Sequence, residues 1–466
     1  MSAGPASDAF TGGLPRIVSP PPGPETRRFA ERLAGVESRN VTFLGPDFPV
    51  FWEEARGGLV RDVDGNLFLD LTGAFGVAAA GHSHPRIAEA VADQALRLPH
   101  AMGDVHPPAR KVELLERLAG LAPWGDETRT TLATSGSEAV EIALKTALLA
   151  TGRPGVVAFE GAYHGLTLGS LAATFRKDFR GPFMPRLYPG VGFVPFPVEE
   201  EEVARALEEL DRALAGGTEG GASEAGRPVT AASDPVGAVI LEPIQGRAGV
   251  RIPPPGFLAE VARRTRAAGA ILIFDEVFTG FGRTGRLFAH EHEGVVPDLM
   301  CVGKALGGGL PLSACLGPRR VMDAWPASRG EALHTSTFLG HPLACAASLA
   351  FLDLLEEEEM VRRSEESGEL LLWSLREELA GVPGVREVRG RGMFVGIELE
   401  GAGAGVRTAE AALRRGLLVL PAGSDGEVVE LAPPLNLERP QLREAVRILG
   451  EAIRNEAPEE AARARR

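Results

Sequence analysis

Lys304 stands between the apolar run Leu299-Met300-Cys301-Val302 and a glycine cluster at 307, 308 and 309, in the stretch MCVGKALGGGLP. That is a poor place for a solvated charge, whereas an amine held in a pocket is a nucleophile for covalent chemistry. Carboxylates occupy matching places. AILIF (270–274) runs straight into Asp275 and Glu276, and VGAVIL (236–241) ends at Glu242. GVVAF (155–159) leads to GAYHG, with Tyr163 and His164, and RTTLA leads to TSGSEA, where Gly136 and Ser137 open a helical pattern. Taken singly, each has a plain structural reading. Lys304 is then a loop lysine after a buried strand, the acids are turn formers, and Ser135 with Glu138 is a capping box. Taken together, they gather at the ends of several strand-like runs, where ligands bind in open α/β sheets.

The chemistry these residues offer is specific. Free N–H groups and the positive dipole end at Gly136 and Ser137 suit a phosphate. Tyr163 offers an aromatic face. Asp275 follows an apolar run that carries it toward the core, and a buried carboxylate needs a cationic or donating partner such as a protonated ring nitrogen. Lys304 offers an amine for an aldehyde; its ordinary pKa of about 10.4 is overcome by imine formation and burial. Anchored phosphate, stacked ring, protonated pyridine nitrogen and lysine-held aldehyde are the requirements of pyridoxal 5'-phosphate.

The elements that must position these residues alternate between strand and helix. Short aliphatic runs without period-two alternation fit strands buried on both faces of a parallel sheet. Helical patterns lie between them: a stripe at Val140, Leu144, Ala147 and Leu148 follows Ser137, and PGFLAEVARRTRAAG fills 255–269. The expected fold is α/β, a large domain with a mainly parallel sheet between helices. A small α+β domain is expected from the N- and C-terminal segments. Residues 58–71 read as a hairpin closed by Asp64-Gly65, and 341–380 as a helix. The expected boundaries are a mobile arm at 1–25, small-domain segments at 26–100 and 351–466, and the cofactor domain at 101–350. A weakly patterned excursion falls at 216–234, and PEEAARARR forms a charged tail.

Composition narrows the partners. The net charge is -14, from 49 basic and 63 acidic residues, which argues against nucleic acid and anionic membrane surfaces. No apolar run is long enough to span a bilayer, and no secretory pattern opens the chain. Three widely spaced cysteines fit a reducing cytoplasm. No metal is expected: HSH (82–84) reads as a turn, HEH (290–292) as surface, and EEEE (356–359) as a solvated helix face.

The motifs TSGSEAVEIALKTA, GAYHGLTLGS, LEPIQG, IFDEVFTGFGRTG, PDLMCVGKALGGGLP, HTSTFLGHPLACAA and VRGRGMFVGIEL occur in one order. As a set the chain resembles the class-III (ω-amino acid) pyridoxal-phosphate aminotransferases of fold type I, from about residue 40 to the last helix. The resemblance implies a Schiff-base lysine at Lys304 and a partner for the pyridine nitrogen at Asp275. It places Val277 and Tyr163 on opposite ring faces, and Gly136 and Ser137 at the phosphate; His164 joins the cofactor-binding set. Thr337 matches a threonine that reaches the phosphate in the neighbouring subunit, which implies a homodimer with shared sites. Glu242 and Arg389 match a pair that handles substrate carboxylates: Glu242 pairs with Arg389 when an ω-amino donor is bound and releases it for glutamate. Phe75 matches a position lining the substrate pocket. Phe278 departs from a common glutamine, Thr134 from an asparagine, and His341 from Asn or Ser. The activity implied is transfer of an amino group from an ω-amino acid or related amine to a 2-oxo acid such as 2-oxoglutarate. An amino-acid racemase, epimerase or aminomutase would share every cofactor residue, and a non-catalytic phosphate-binding protein would share only the helix N-terminus.

Overall fold

The computed structural model describes residue 10 and residues 13–45, 47–216 and 234–456. The excursion at 216–234, apart from its end residues, and the charged tail therefore lie outside the described residues, as does most of the stretch before residue 13.

The chain divides into two compact units, one made of Met1–Pro85 with Met360–Arg466, the other of Arg86–Glu359. In the first unit, strands β1 (Trp52–Arg56), β2 (Leu59–Asp62) and β3 (Leu67–Asp70) form an antiparallel meander. The expected hairpin turn is present. Gly65 takes a left-handed φ of 83°, and Asp62 accepts hydrogen bonds from the backbone N–H of Asp64 (3.0 Å) and Asn66 (2.8 Å). Within the stretch read as an arm, Arg16 and Leu67 exchange two backbone hydrogen bonds of 2.8 Å, and Asn66 Oδ1 accepts from Val18 and Ser19 at 2.9 Å.

The second unit holds seven strands: β4 (Thr128–Ala133), β5 (Gly155–Phe159), β6 (Val191–Val194), β7 (Val236–Leu241), β8 (Ile271–Asp275), β9 (Leu299–Val302) and β10 (Ser313–Pro318). They assemble in the order β4-β10-β9-β8-β7-β5-β6, with β10 antiparallel to both neighbours and β5 to β9 mutually parallel. The absence of alternation in the sequence has a direct cause. Val156, Ala158, Ala238, Ile240 and Ile273 pack into one apolar layer with helix Gly136–Thr151. Val157, Phe159, Val239, Leu241, Leu272 and Phe274 pack into another with helices Glu200–Leu214 and Phe257–Ala267. Both faces are buried, so both registers must be apolar, each fully buried aliphatic side chain contributing about 1.5–3 kcal/mol.

The remaining strands return to the first unit: β11 (Val385–Arg391), β12 (Phe394–Leu399), β13 (Leu417–Leu418), β14 (Leu420–Ala422) and β15 (Val428–Leu431). β13 pairs parallel with β3, and the others form the antiparallel sheet β11-β12-β15-β14.

Three expectations need correction. The helix read at 341–380 is two helices, Pro342–Glu357 and Met360–Glu378, because Glu359 adopts a φ of 49° and turns the chain. EEEE is therefore a helix end and a break. Its first two acids pair with arginines, Glu356 with Arg117 and Glu357 with Arg86. HEH is only partly surface: Glu291 is exposed, but His290 is buried and stacks on Phe288 with ring centroids 6.0 Å apart. Glu276 draws that segment inward. Its carboxylate accepts from the backbone N–H of Ala289 (2.9 Å) and His290 (2.8 Å) and from the Thr279 hydroxyl.

Burial raises the Glu276 carboxyl from 4.5 to about 7. Because the folded value lies above the unfolded one, its contribution to stability is complete below about pH 4.5 and is lost as pH rises through about 7. Burial holds His290 down at about 4, so its own contribution runs the other way and is complete above about 6.5. Comparison with Glu276→Gln isolates the carboxyl. Between pH 4.5 and 8 the unfolding free energy of the wild type should fall relative to the variant by about 3 kcal/mol. Calorimetric melting at pH 5 and 8 measures this; a wild type that loses no more than the variant excludes an ionisation cost at Glu276.

Candidate active site

Five strands of the large sheet deliver their following residues to one place. Asp275 is the last residue of β8, Glu242 follows β7, and Tyr163 and His164 follow β5. Gly136 and Ser137 begin the helix after β4, and Lys304 lies just beyond β9. Together with Val277 and Phe278 they line a cavity of about 230 Å³.

Asp275 is buried, and its Oδ2 lies 2.8 Å from His164 Nδ1 while Oδ1 accepts from Val277 N at 3.1 Å. His164 is itself fixed, its backbone N–H donating to Thr174 Oγ1 at 2.9 Å. The outer ring nitrogen, Nε2, is buried with no hydrogen-bond partner among the described residues. Glu242 Oε1 accepts from Tyr163 N and Oε2 from Gly246 N, both at 3.0 Å. Burial raises its carboxyl to about 7, with His164 opposing and Asp275 adding to the rise. Tyr163 packs its ring edge-on against Phe179 at 6.0 Å, and burial raises its hydroxyl above the usual phenol value.

At the helix opening, Ser135 Oγ accepts from Glu138 N at 3.3 Å, but the expected reciprocal bond goes elsewhere. Glu138 accepts instead from Thr134 N and Oγ1, both at 2.7 Å. Ser137 Oγ accepts from Leu166 N at 3.0 Å, joining the two loops. Gly136 lies so close to Val277 that a Cβ would stand 2.9 Å from Cγ1, and at Gly165 (φ 119°) a Cβ would overlap Ser137 Oγ.

Lys304 adopts a left-handed φ of 46°, a strained state for a side-chain-bearing residue, and its Nζ lies 3.2 Å from the Phe278 ring centroid. Among the glycines after it, Gly308 has a packing reason: a Cβ there would stand 2.8 Å from Ala347 O.

The sequence-predicted residues Gly136, Ser137, Tyr163, His164, Glu242, Asp275, Val277 and Lys304 are thus brought together. Thr337 belongs to the same unit but is exposed, outside the cavity lining. Phe75 and Arg389 belong to the other unit. Phe75 is 57% exposed on a strained turn with φ 60°, and Arg389 Nη1 pairs with Glu398 (2.6 Å) and Glu387 (2.7 Å). Sequence reading passed over Arg247, which also lines the cavity. Its signal was its place in the loop directly after Glu242.

The sequence profile of the class-III aminotransferases matches residues 44–453. The chain belongs to this family. It is 36% identical to the acetylornithine aminotransferase of Methanothermobacter thermautotrophicus, over 91% of this chain and 99% of that one. It is 35% identical to the 4-aminobutyrate aminotransferase of Mycobacterium leprae, over 94% and 98%. The ornithine aminotransferase of Toxoplasma gondii, solved with partial occupancy of pyridoxal phosphate, superposes with a TM-score of 0.79 at 28% identity, over 94% and 96%. This class-III aminotransferase is therefore a fold-type I, pyridoxal-phosphate-dependent transaminating enzyme, and the isomerase alternative is not favoured.

The cavity fits the cofactor. A helix N-terminus flanked by close-packed glycines meets the phosphate requirement, a buried carboxylate braced by an imidazole meets that of the ring nitrogen, and a lysine amine reaches the same space. Gly165→Ala should disturb the first of these, because the substitution forces φ strain and displaces Ser137. Apparent affinity for pyridoxal phosphate should fall about tenfold or more, equal to about 1.4 kcal/mol, in an absorbance titration of apoprotein. Unchanged affinity would remove the Ser137–Gly165 contact from the cradle.

Proposed function

We propose that the enzyme takes the amino group from a donor whose amine lies on a carbon remote from its carboxylate and passes it to a 2-oxo acid, with 2-oxoglutarate as acceptor. The observation that carries this is the convergence of Lys304, Asp275, Tyr163, Val277 and the Gly136–Ser137 helix start on one cavity. The names of the relatives support the donor class: acetylornithine and 4-aminobutyrate both carry such an amine.

Pyridoxal phosphate, when bound, supplies an aldehyde for the amine and an electron-withdrawing ring. The chain does the rest. Lys304 Nζ would hold the aldehyde between turnovers and, once displaced, would be the base that moves the proton off the substrate carbon. Asp275 would face the ring nitrogen and hold its proton, and His164 Nδ1, 2.8 Å from Asp275 Oδ2, orients the carboxylate for it. Tyr163 and Val277 confine the ring from its two faces. Gly136 and Ser137 present backbone N–H groups to the phosphate. Arg389, with its planar fork, receives the α-carboxylate of glutamate or 2-oxoglutarate, Glu242 supplies the opposing charge while the donor is bound, and Phe75 borders the donor.

The working unit is a homodimer in which Thr337 of one subunit serves its partner's site. Large exposed apolar side chains of the same unit, Leu333, Phe338, Phe183 and Met184, support an interface. A cytoplasmic setting is supported by three buried free cysteines and, among the described residues, by the lack of a helix long and apolar enough to cross a membrane.

A panel of amino donors scored for glutamate formation tests the activity, with Lys304→Ala as control. The variant should lose at least about a thousandfold in kcat, about 4 kcal/mol, while still binding the cofactor non-covalently. Near-normal turnover would remove Lys304 from the mechanism. Single-turnover kinetics test the substrate roles. Arg389→Ala should slow the glutamate half-reaction by about a hundredfold or more and the donor half-reaction by less than about tenfold. Equal losses in both halves would reduce Arg389 to a structural partner of Glu398.

A further inference from the structure

Arg247 has no part in the chemistry above, yet it lines the same cavity as Lys304 and Glu242. Its backbone is fixed. A bridge between Gln245 and Arg251 closes the base of its turn, with hydrogen bonds of 3.0 and 2.9 Å. Gly246 O accepts from Gly249 N (2.8 Å) and Val250 N (3.0 Å), and Gly246 N donates to Glu242. The other arginine of this turn, Arg251, is engaged, donating to Phe196 O at 3.0 Å and lying over the Phe196 ring. Arg247 is half-buried and has no hydrogen bond or ion pair among the described residues. Glu242, which lines the same cavity, gives one oxygen to Tyr163 N and the other to Gly246 N. A guanidinium carried by a fixed turn at a pocket wall, with its donors unmatched, is a receptor for a planar anion, and a carboxylate is the anion whose two oxygens match its fork.

We propose that Arg247 receives the carboxylate that the amino donor carries away from its reacting amine. The inference rests on the transamination reading and deepens it: the substrate amine must reach Lys304, so a carboxylate several atoms along the same molecule meets the cation on the same cavity wall. Arg247 then selects ω-amino carboxylates over neutral-tailed amines, while Arg389 serves the α-carboxylate of the acceptor.

The test compares wild type, Arg247→Ala and Arg247→Lys as holoenzymes, with 4-aminobutyrate and 1-aminobutane as donors that differ in the carboxylate. In single-turnover absorbance, Arg247→Ala should lower kcat/KM for 4-aminobutyrate about a hundredfold, mainly through KM, and leave 1-aminobutane within about twofold. Arg247→Lys should recover part of the loss. Calorimetric binding of pentanoate, which carries no amine, should weaken at least about tenfold in Arg247→Ala. Equal losses on both donors, or no loss on either, would overturn the proposal. So would weaker binding of pyridoxal phosphate by Arg247→Ala, which would give the guanidinium to the cofactor phosphate. If wild type responds to neither donor, 4-aminobutyrate and 1-aminobutane are excluded as donors, and the pentanoate measurement still decides whether Arg247 holds a carboxylate.

Discussion

A carboxylate at the end of a buried strand cannot be left unpaired, and the site grows from that constraint. β8 ends in Asp275, and the apolar residues before it hold the strand in the middle of the sheet, so the acid is buried whether or not it has a partner. Leaving it unpaired would cost several kcal/mol. His164 Nδ1 and Val277 N supply the partners, and the first of these fixes the loop after β5. Glu242, ending the strand between, fixes the same loop through Tyr163 N and its own following turn through Gly246 N. Adjacent strands β5, β7 and β8 are thus stitched at their carboxyl ends by side chains that also line the cavity. Function and local stability rest on the same bonds.

Lys304 is placed by a different constraint. β9 is fully buried and stops at Val302, and the chain must then clear helix Pro342–Glu357. It does so through a short 3₁₀ turn with Gly308 against Ala347 O. Lys304 takes up the sharpest part of the turn at φ 46°, a conformation that costs of order 1–3 kcal/mol and persists because the packing around it leaves no alternative. The strain aims the side chain into the cavity.

Much of this is legible in sequence because it follows from burial. Uninterrupted aliphatic runs become strands with both faces covered, as Val156 against Val157 and Ile273 against Phe274 show. Polar residues that end such runs then lie at one edge of the sheet. Asp64-Gly65 gives its hairpin for an equally local reason. What escaped was decided by partners distant in sequence. Glu359 breaks a pattern that is helical by periodicity, because the chain turns there. HEH looks solvated until Glu276 is seen to claim the backbone N–H groups of Ala289 and His290. The Asp275–His164 bond joins residues 111 apart, and no spacing rule connects them. Arg247 stands in a polar turn like any surface arginine, and only the position of that turn over the cavity distinguishes it.

The cavity gathers groups of both charge signs. Lys304 and Arg247 bring positive groups, Asp275 and Glu242 acidic ones. Asp275 is braced by His164, so Glu242 is the group free to change its state. Burial brings its carboxyl to about 7, so near neutrality the protonated and ionised forms differ little in free energy. A cationic amine entering the cavity favours ionised Glu242, and a dicarboxylate acceptor favours the neutral form. The two backbone N–H groups that hold the side chain remain hydrogen-bonded to an oxygen in either state. Glu242 can therefore answer a change of nearby charge by gaining or losing a proton while its two hydrogen bonds stay in place.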